Sequence, residues 1–248
     1  MKEKPMNRSL NLWNSCAFAY NNTIKNSISH QLQFLDIVKE LNPKSNQKFL
    51  DAGCGTGDFE KFMCSKRTKI SLTAVDFSPN MIKKAKKRCR EFNNVEFIKA
   101  DLKENLKFKS NLFDGIVTIN VLFSINNTEK LFKEFFRILK PGGKLVIADP
   151  KPDARMILTL KEYFYHIKSR DKKTHKIFLL LKGLFFLPFA SLVLMLNIVM
   201  IYFEKKGHYK FNSSDDFIKM LKSVGFDRIK VGTTLSGQDW LITAGKKE

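Results

Sequence analysis

Three observations predict a doubly wound α/β sheet for this chain. Apolar runs of strand length alternate with helix-compatible stretches from Phe49 to Asp149. The first run ends in a turn carrying Gly53, Gly55 and Gly57. Polar residues, mostly acids, recur where successive runs end, at Asp51, Asp76, Asp101 and Asn120. Such alternation builds a parallel sheet with helices on both faces, and ligands then bind at the carboxyl ends of the strands. A chain of 248 residues suits one domain of this kind with additions, and 44% apolar residues suffice for a full core.

The first strand is expected to end at Asp51, with a helix from Asp58. Alternating glycines let the intervening backbone turn sharply and let a ligand pack against main-chain N–H groups. The spacing is not the dinucleotide fingerprint G-x-G-x-x-G, whose turn receives a pyrophosphate at a helix N-terminus. Asp58 stands where its third glycine belongs, and Asp51 would repel a bound anion. A ligand with a cationic end fits better. A second strand, Ile70 to Val75, ends in Asp76, roughly 20 residues past the turn, where a carboxylate is expected to take a ribose hydroxyl pair. Ser78-Pro79 opens a helix as N-cap and first-turn proline. Val95 to Ala100 is the third strand, before Asp101-Leu102, and Phe113 to Asn120 the fourth. Thr128 is expected to cap a helix whose apolar positions Leu131, Phe132, Phe135, Phe136 and Leu139 keep a helical period. Lys-Pro-Gly-Gly at 140–143 stops that helix, and Lys144 to Asp149 is the fifth strand. Ser213 and Ser214 are both able to cap a last helix through Phe217, Ile218, Met220 and Leu221, closed by Gly225. Phe226 to Val231 and Gln238 to Ala244 complete the strands.

The run Asp51-Ala-Gly-Cys-Gly-Thr-Gly57, with Asp76, Asp101 and Asn120 at later strand ends, resembles the class I S-adenosylmethionine-dependent methyltransferases. Likeness is closest to the branch that methylates small molecules such as prenylated quinones (the type 11 domain), and it covers about 47–150 and 209–245. The resemblance implies a Rossmann-like seven-stranded sheet whose last two strands form an antiparallel edge hairpin. S-adenosylmethionine is the implied cofactor, its methionine ammonium suiting the acid-flanked turn. Asp101 would receive the adenine amino group while Leu102 packs on the ring. The implied cofactor-binding set is Asp51, Gly53, Cys54, Gly55, Gly57, Asp76, Phe77, Met81, Asp101, Leu102 and Asn120.

Net charge is +20, which invites a nucleic-acid reading. The excess is spread, however, at +10 in residues 1–110 and +10 in 111–248. The densest run, Lys83 to Arg90, lies on the helix after the second strand, whose outer face is ordinarily solvated. The four cysteines, Cys16, Cys54, Cys64 and Cys89, lack C-x-x-C spacing and suit reduced thiols in a cytosolic setting. No His/Cys cluster points to a metal.

The N-terminus lacks a signal core. Trp13, Ala17, Tyr20, Ile24, Ile28, Leu32, Leu35 and Val38 read instead as an amphipathic helical prefix. By resemblance such a prefix, with an aromatic-Asn pair like Tyr20-Asn21, closes over the cofactor as a lid; the alternative is packing on the sheet edge. The expected organisation is a lid at 1–46, the cofactor core at 47–150, an insertion at 151–208, and a closing helix with edge strands at 209–248.

The insertion departs from the family. Gly183 to Phe203 is 21 residues without a charge, preceded by six Lys/Arg against two acids over Lys161–Lys176. Length alone makes it a membrane-span candidate. A single crossing would put Phe211–Ala244 on the wrong side to rejoin the sheet. The almost entirely apolar stretch runs from Ile177 to Phe203. Pro188 breaks or kinks a helix, leaving arms Ile177–Leu187 and Phe189–Phe203 of roughly 16–22 Å at ~1.5 Å per residue, short of a ~30 Å hydrocarbon core. The segment is therefore expected to dip into one leaflet or lie in the interface, as a monotopic contact on the cytoplasmic face. The alternative is a soluble cap over an apolar pocket, or a dimer interface.

The expected reaction is methyl transfer to a hydrophobic small molecule or lipid at a membrane surface. A soluble methyltransferase of an apolar metabolite, an RNA methyltransferase and a non-catalytic module are the alternatives. Asn-Val-Leu-Phe at 120–123 lacks the Asn/Asp-Pro-Pro-aromatic run of amino-directed nucleic-acid enzymes, and no cysteine follows the fourth or fifth strand. Both absences disfavour nucleic acid. No general base is identified: His166, His208, Tyr163, Tyr165 and Asp149 all lie in regions able to reach an acceptor.

Overall fold

The computed structural model describes residues 28–65, 69–154, 205–207 and 209–248. In chain order the elements are α1 (Ile28–Leu41), β1 (Lys48–Ala52), α2 (Asp58–Ser65), β2 (Ser71–Asp76), α3 (Pro79–Arg88), β3 (Val95–Lys99) and β4 (Phe113–Ile119). A short 3-10 turn at Leu122–Ser124 leads to α4 (Thr128–Ile138), β5 (Leu139–Pro150), α5 (Ser214–Val224), β6 (Asp227–Thr234) and β7 (Asp239–Gly245). Trp13 to Ile24, Cys16, and the apolar and basic insertion with Tyr163, Tyr165, His166, Pro188 and His208 lie outside the described residues.

One seven-stranded sheet runs β3-β2-β1-β4-β5-β7-β6. The first five strands are parallel; β7 pairs antiparallel with β5 and with β6, as the resemblance implies. Alternation along the strands feeds two cores. Leu50 and Ala52 of β1 and Leu145 and Ile147 of β5 meet α4 and α5 through Leu131, Phe132, Phe135, Phe217 and Leu221. Phe49, Val146 and Ala148 point to the other face, against Phe34, Ile37 and Leu41 of α1 and Phe59 and Met63 of α2. Period-2 strands thus serve both helical layers at once.

Helix ends follow local chemistry. Ser78 accepts from the Met81 N–H at 3.2 Å, with Pro79 at the first helical position. Ser213, not Ser214, caps α5, and Asp216 reaches back to the Ser213 N–H at 3.0 Å, a reciprocal capping box. Gly225 closes the helix with φ at 107°.

Three expectations need correction. Asn127, not Thr128, caps α4, accepting from the Lys130 N–H at 3.0 Å; Thr128 is buried and donates to the Ile125 carbonyl. Strand β5 starts at Leu139, before the Lys-Pro-Gly-Gly stop: Phe113 pairs with Leu139 and Gly115 with Lys144, so residues 140–143 bulge out of the ladder. The face of α1 also differs. Leu32 and Leu35 are 41% and 45% exposed, while Gln33, Phe34, Ile37 and Leu41 are buried. Gln33 is held because its Nε2 donates to Asp239 at 2.7 Å, and Thr234 donates to Asp36 at 2.7 Å, pinning α1 over β6 and β7. Over Ile28–Leu41 the prefix packs on the sheet.

Candidate functional site

The turn after β1 hangs from its neighbour strand: the N–H groups of Gly53 and Cys54 both donate to the Val75 carbonyl, at 2.8 and 2.9 Å. All three glycines have positive φ, at 96°, 52° and 80°. Their surroundings differ. A Cβ on Gly53 would run into the Val121 side chain, and one on Gly57 would lie 3.0 Å from Ala85 of α3, whereas one on Gly55 meets nothing within 4 Å. Gly53 and Gly57 are required by packing, and Gly55 faces open space.

Asp76 closes the turn from the end of β2. Its Oδ2 accepts from the Gly55 N–H at 3.0 Å and its Oδ1 from the Ser78 N–H at 2.8 Å. One carboxylate therefore fixes both the glycine turn and the start of α3. Burial raises its pKa, and these two backbone bonds pull the other way. Phe77, beside it, is half-buried, and Met81 is buried under α3. Arg88 clamps the far side of the turn, paired with Asp58 and donating to Thr56 at 2.9 Å.

Asp51 is 2% exposed on the face of β1 shared with Phe49. Opposite it stands Glu60 of α2, 0% exposed. The two carboxyls are close enough to share a proton, and burial raises both pKa values, that of Asp51 to about 7. Cys54, buried in the turn, has its thiol pushed well up by burial and by these acids, which makes it a space-filler rather than a nucleophile.

Asp101 sits half-buried after β3, its Oδ1 accepting from the Lys103 N–H at 2.9 Å, and Leu102 is buried. Asn120, at the end of β4, adopts φ of 56°, and its Oδ1 is buried without a donor. The chain then turns under Asp149 at the end of β5, whose Oδ1 accepts from the N–H groups of Val121 and Leu122 at 3.1 and 2.9 Å. Burial and the nearby Asp239 drive the Asp149 pKa well above the carboxylate range. Asp149 braces the 121–122 turn through Oδ1, while its Oδ2 is buried without a donor. Asp239 is itself buried and raised to about 7.

The candidate residues therefore converge on one rim. The glycine turn touches Val75 and Val121, Asp76 ties the turn to α3, and Asn120 and Asp149 flank Val121. Asp101 and Leu102 follow β3 at this rim, and Leu102 also lines a cleft of ≈ 140 Å³ with Ile125, Asn127 and Leu131. Sequence reasoning missed Glu60, Gln33 and Asp239. Glu60 carried a readable signal, an acid on the helix face of Phe59, Met63 and Cys64; the other two depend on contacts 206 residues apart.

Comparison with known proteins agrees with this geometry. A family model described as a methyltransferase domain matches residues 43–225. The phosphoethanolamine N-methyltransferase 1 of Arabidopsis thaliana is 33% identical over 147 residues, 57% of this chain and 28% of that protein. The demethylmenaquinone methyltransferase of Tropheryma whipplei (strain Twist) is 32% identical over 111 residues, 45% of each. The chain thus spans less than half the length of these curated relatives. In fold it is similar to Haemonchus contortus phosphoethanolamine N-methyltransferase 2, solved with phosphomonomethylethanolamine and S-adenosylhomocysteine. That likeness has a TM-score of 0.65 at 19% identity, over 95% of this chain and 58% of that one.

Proposed function

The chain belongs to the class I S-adenosylmethionine-dependent methyltransferase family, and on that premise we propose that it methylates a small hydrophobic or lipid acceptor met at the cytoplasmic face of a membrane. The residues fit the cofactor. Gly55 leaves open space against main-chain N–H groups, and Asp51 and Asp76 supply buried carboxyls for an ammonium and a ribose. In this reading Asp101 and Leu102 take the adenine, with Phe77, Met81 and Asn120 completing the wall. When bound, S-adenosylmethionine supplies an electrophilic methyl group on a sulfonium, transferred by in-line displacement. The protein's contribution is to hold the acceptor in line and exclude water.

One observation carries the acceptor half of the proposal. The chain leaves the sheet after β5 and returns beside the same rim: Lys210 N–H donates to the Phe123 carbonyl at 2.8 Å, and Tyr209 and Phe211 both pack on the Phe123 ring. The chain re-enters at residues 209–211 beside the 121–123 turn, and the uncharged run Gly183–Phe203 lies in sequence between β5 and this return. A single bilayer crossing would separate β5 from β7, which pair from Lys144 to Pro150. A monotopic contact keeps the sheet whole and delivers an apolar acceptor to the rim.

A second reading, a cationic amine acceptor as in the phosphoethanolamine enzymes' names, is favoured by the buried carboxyls of Asp149 and Asp239. One experiment separates the two. Cell extract is incubated with the protein and methyl-labelled cofactor, then partitioned between solvent and water. The proposal expects label in the lipid phase, on a product 14 Da heavier. Label confined to a water-soluble amine would overturn it in favour of the second reading.

A further inference from the structure

We infer that Glu60 is a second acid behind Asp51 that makes the cofactor pocket demand a cation: the two carboxyls share one proton in the cofactor-free protein and give it up when the methionine ammonium of S-adenosylmethionine arrives. This rests on the cofactor reading above and adds to it a residue that the glycine-turn motif does not contain.

The placement is specific. Glu60 lies three residues past Gly57, on the inward face of α2 with Phe59, Met63 and Cys64, and is fully buried. Neither of its carboxyl oxygens has a hydrogen-bond donor, and neither does Oδ1 of Asp51. A buried carboxyl without a donor or counter-charge is costly, so it is ordinarily paired. The groups around the pair do not meet the need. Asp76 of β2 adds negative charge to Asp51, and Cys54 of the turn, Cys64 of α2 and Cys89 after α3 are buried thiols raised in pKa. Arg88 of α3, the cation of this corner, is engaged with Asp58 and Thr56. His30 of α1, facing Asp58, is held neutral by burial, its pKa lowered to about 4. A shared proton is the one hydrogen bond that the two acids can make to each other.

A cation reaching Asp51 changes the balance. Two like charges in one buried site cannot both ionise cheaply, whereas an opposite charge favours the ionised form. The proton leaves to solvent, the ammonium takes its place as counter-charge, and binding is coupled to release of one proton. Glu60 acts through Asp51 and is a positioning residue.

The test is calorimetric titration of S-adenosylmethionine into the full chain, in buffers of different ionisation enthalpy, between about pH 5.5 and 7. We expect close to one proton released per cofactor and affinity that strengthens with pH, approaching about tenfold per unit. S-adenosylhomocysteine, which keeps the ammonium without the sulfonium, should behave alike. Methylthioadenosine, which lacks the amino-acid end, should bind without proton release. Glu60→Gln should lose the proton release and flatten the pH slope. Wild-type protein that binds the cofactor with no proton released, or Glu60→Gln with undiminished release, would overturn the role of Glu60 alone. Absence of cofactor binding at every pH would overturn the cofactor reading with it. Should Glu60→Gln fail to fold, Glu60→Leu fills the same apolar face, and wild-type affinity with full pH dependence in that variant would equally overturn the proposal.

Discussion

Gly55 and Gly57 share a positive φ but not an environment, and this separates binding from folding at single-residue resolution. Alanine at Gly55 meets no protein atom, so its stability cost is the left-handed backbone, about 1–2 kcal/mol. Its methyl group occupies space that the cofactor would use. Alanine at Gly57 presses on the backbone of Ala85 and adds overpacking, typically 1–3 kcal/mol, to the same backbone cost. Gly55→Ala is therefore expected to melt close to wild type yet bind S-adenosylmethionine at least tenfold more weakly. Gly57→Ala is expected to lose more in melting temperature. Paired thermal melts and titrations check this, and unchanged affinity in Gly55→Ala would remove the turn from the cofactor site. These glycines, Asp51 and Asp76 were legible in the sequence because each sits at a strand end within one local pattern. Asp76 still held a surprise, since each of its carboxylate oxygens already accepts one backbone N–H, from Gly55 and from Ser78. Gln33 and Asp239 were not legible: their pairing exists only once α1 lies across β7.

Elements were legible where one physical signal dominated. Strand alternation and the apolar period of α4 located those segments, and Ser78-Pro79 located the start of α3. Boundaries slipped where two signals competed. Asn127 outbid Thr128 as a cap because asparagine reaches the third N–H as well as threonine does, leaving Thr128 to bond backward to Ile125. The face of α1 was misread because Leu32 and Leu35 keep a helical period with Ile28 and Val38, whereas the sheet selects Phe34, Ile37 and Leu41. The α5 cap offers a clean measure of element energetics. Ser213 and Asp216 satisfy each other's backbone at an exposed helix start, and the Asp216 pKa is lowered by those bonds. Ser213→Ala should cost about 1 kcal/mol, read as a lower denaturation midpoint at unchanged slope. A loss below a few tenths would mean that Phe217 and Leu221, buried against α4, fix this helix without help from its cap.

At the scale of the whole molecule, the parallel sheet was legible from alternation, and the seven strands with their antiparallel edge hairpin from the family resemblance, whereas the order β3-β2-β1-β4-β5-β7-β6 belongs to the fold alone. What composition hid is that five of the 24 acids in a chain with net charge +20 are buried. Asp51, Glu60, Asp76, Asp149 and Asp239 are all buried and all raised in pKa. In the unfolded chain these groups ionise near 3.8 to 4.5. The native state therefore holds more protons than the unfolded state above that range, and stability falls as pH rises toward the folded pKa values, about 7 for Asp51 and Asp239. His30 acts in the opposite sense: its pKa is lowered from 6.5 to about 4, so it adds stability as pH rises to 6.5 and nothing beyond. The acids act alone above pH 6.5. Melting temperature is expected to fall steadily from about pH 6.5 to 8, and a flat or rising profile would show that these carboxyls are ionised in the native state. Asp149→Asn keeps the acceptor for Val121 and Leu122 while removing one titration, so it should raise the melting temperature at the alkaline end and flatten the slope. Saturating S-adenosylmethionine should remove only the share of the slope that belongs to Asp51 and Glu60, because Asp149 and Asp239 answer to each other at the end of β5.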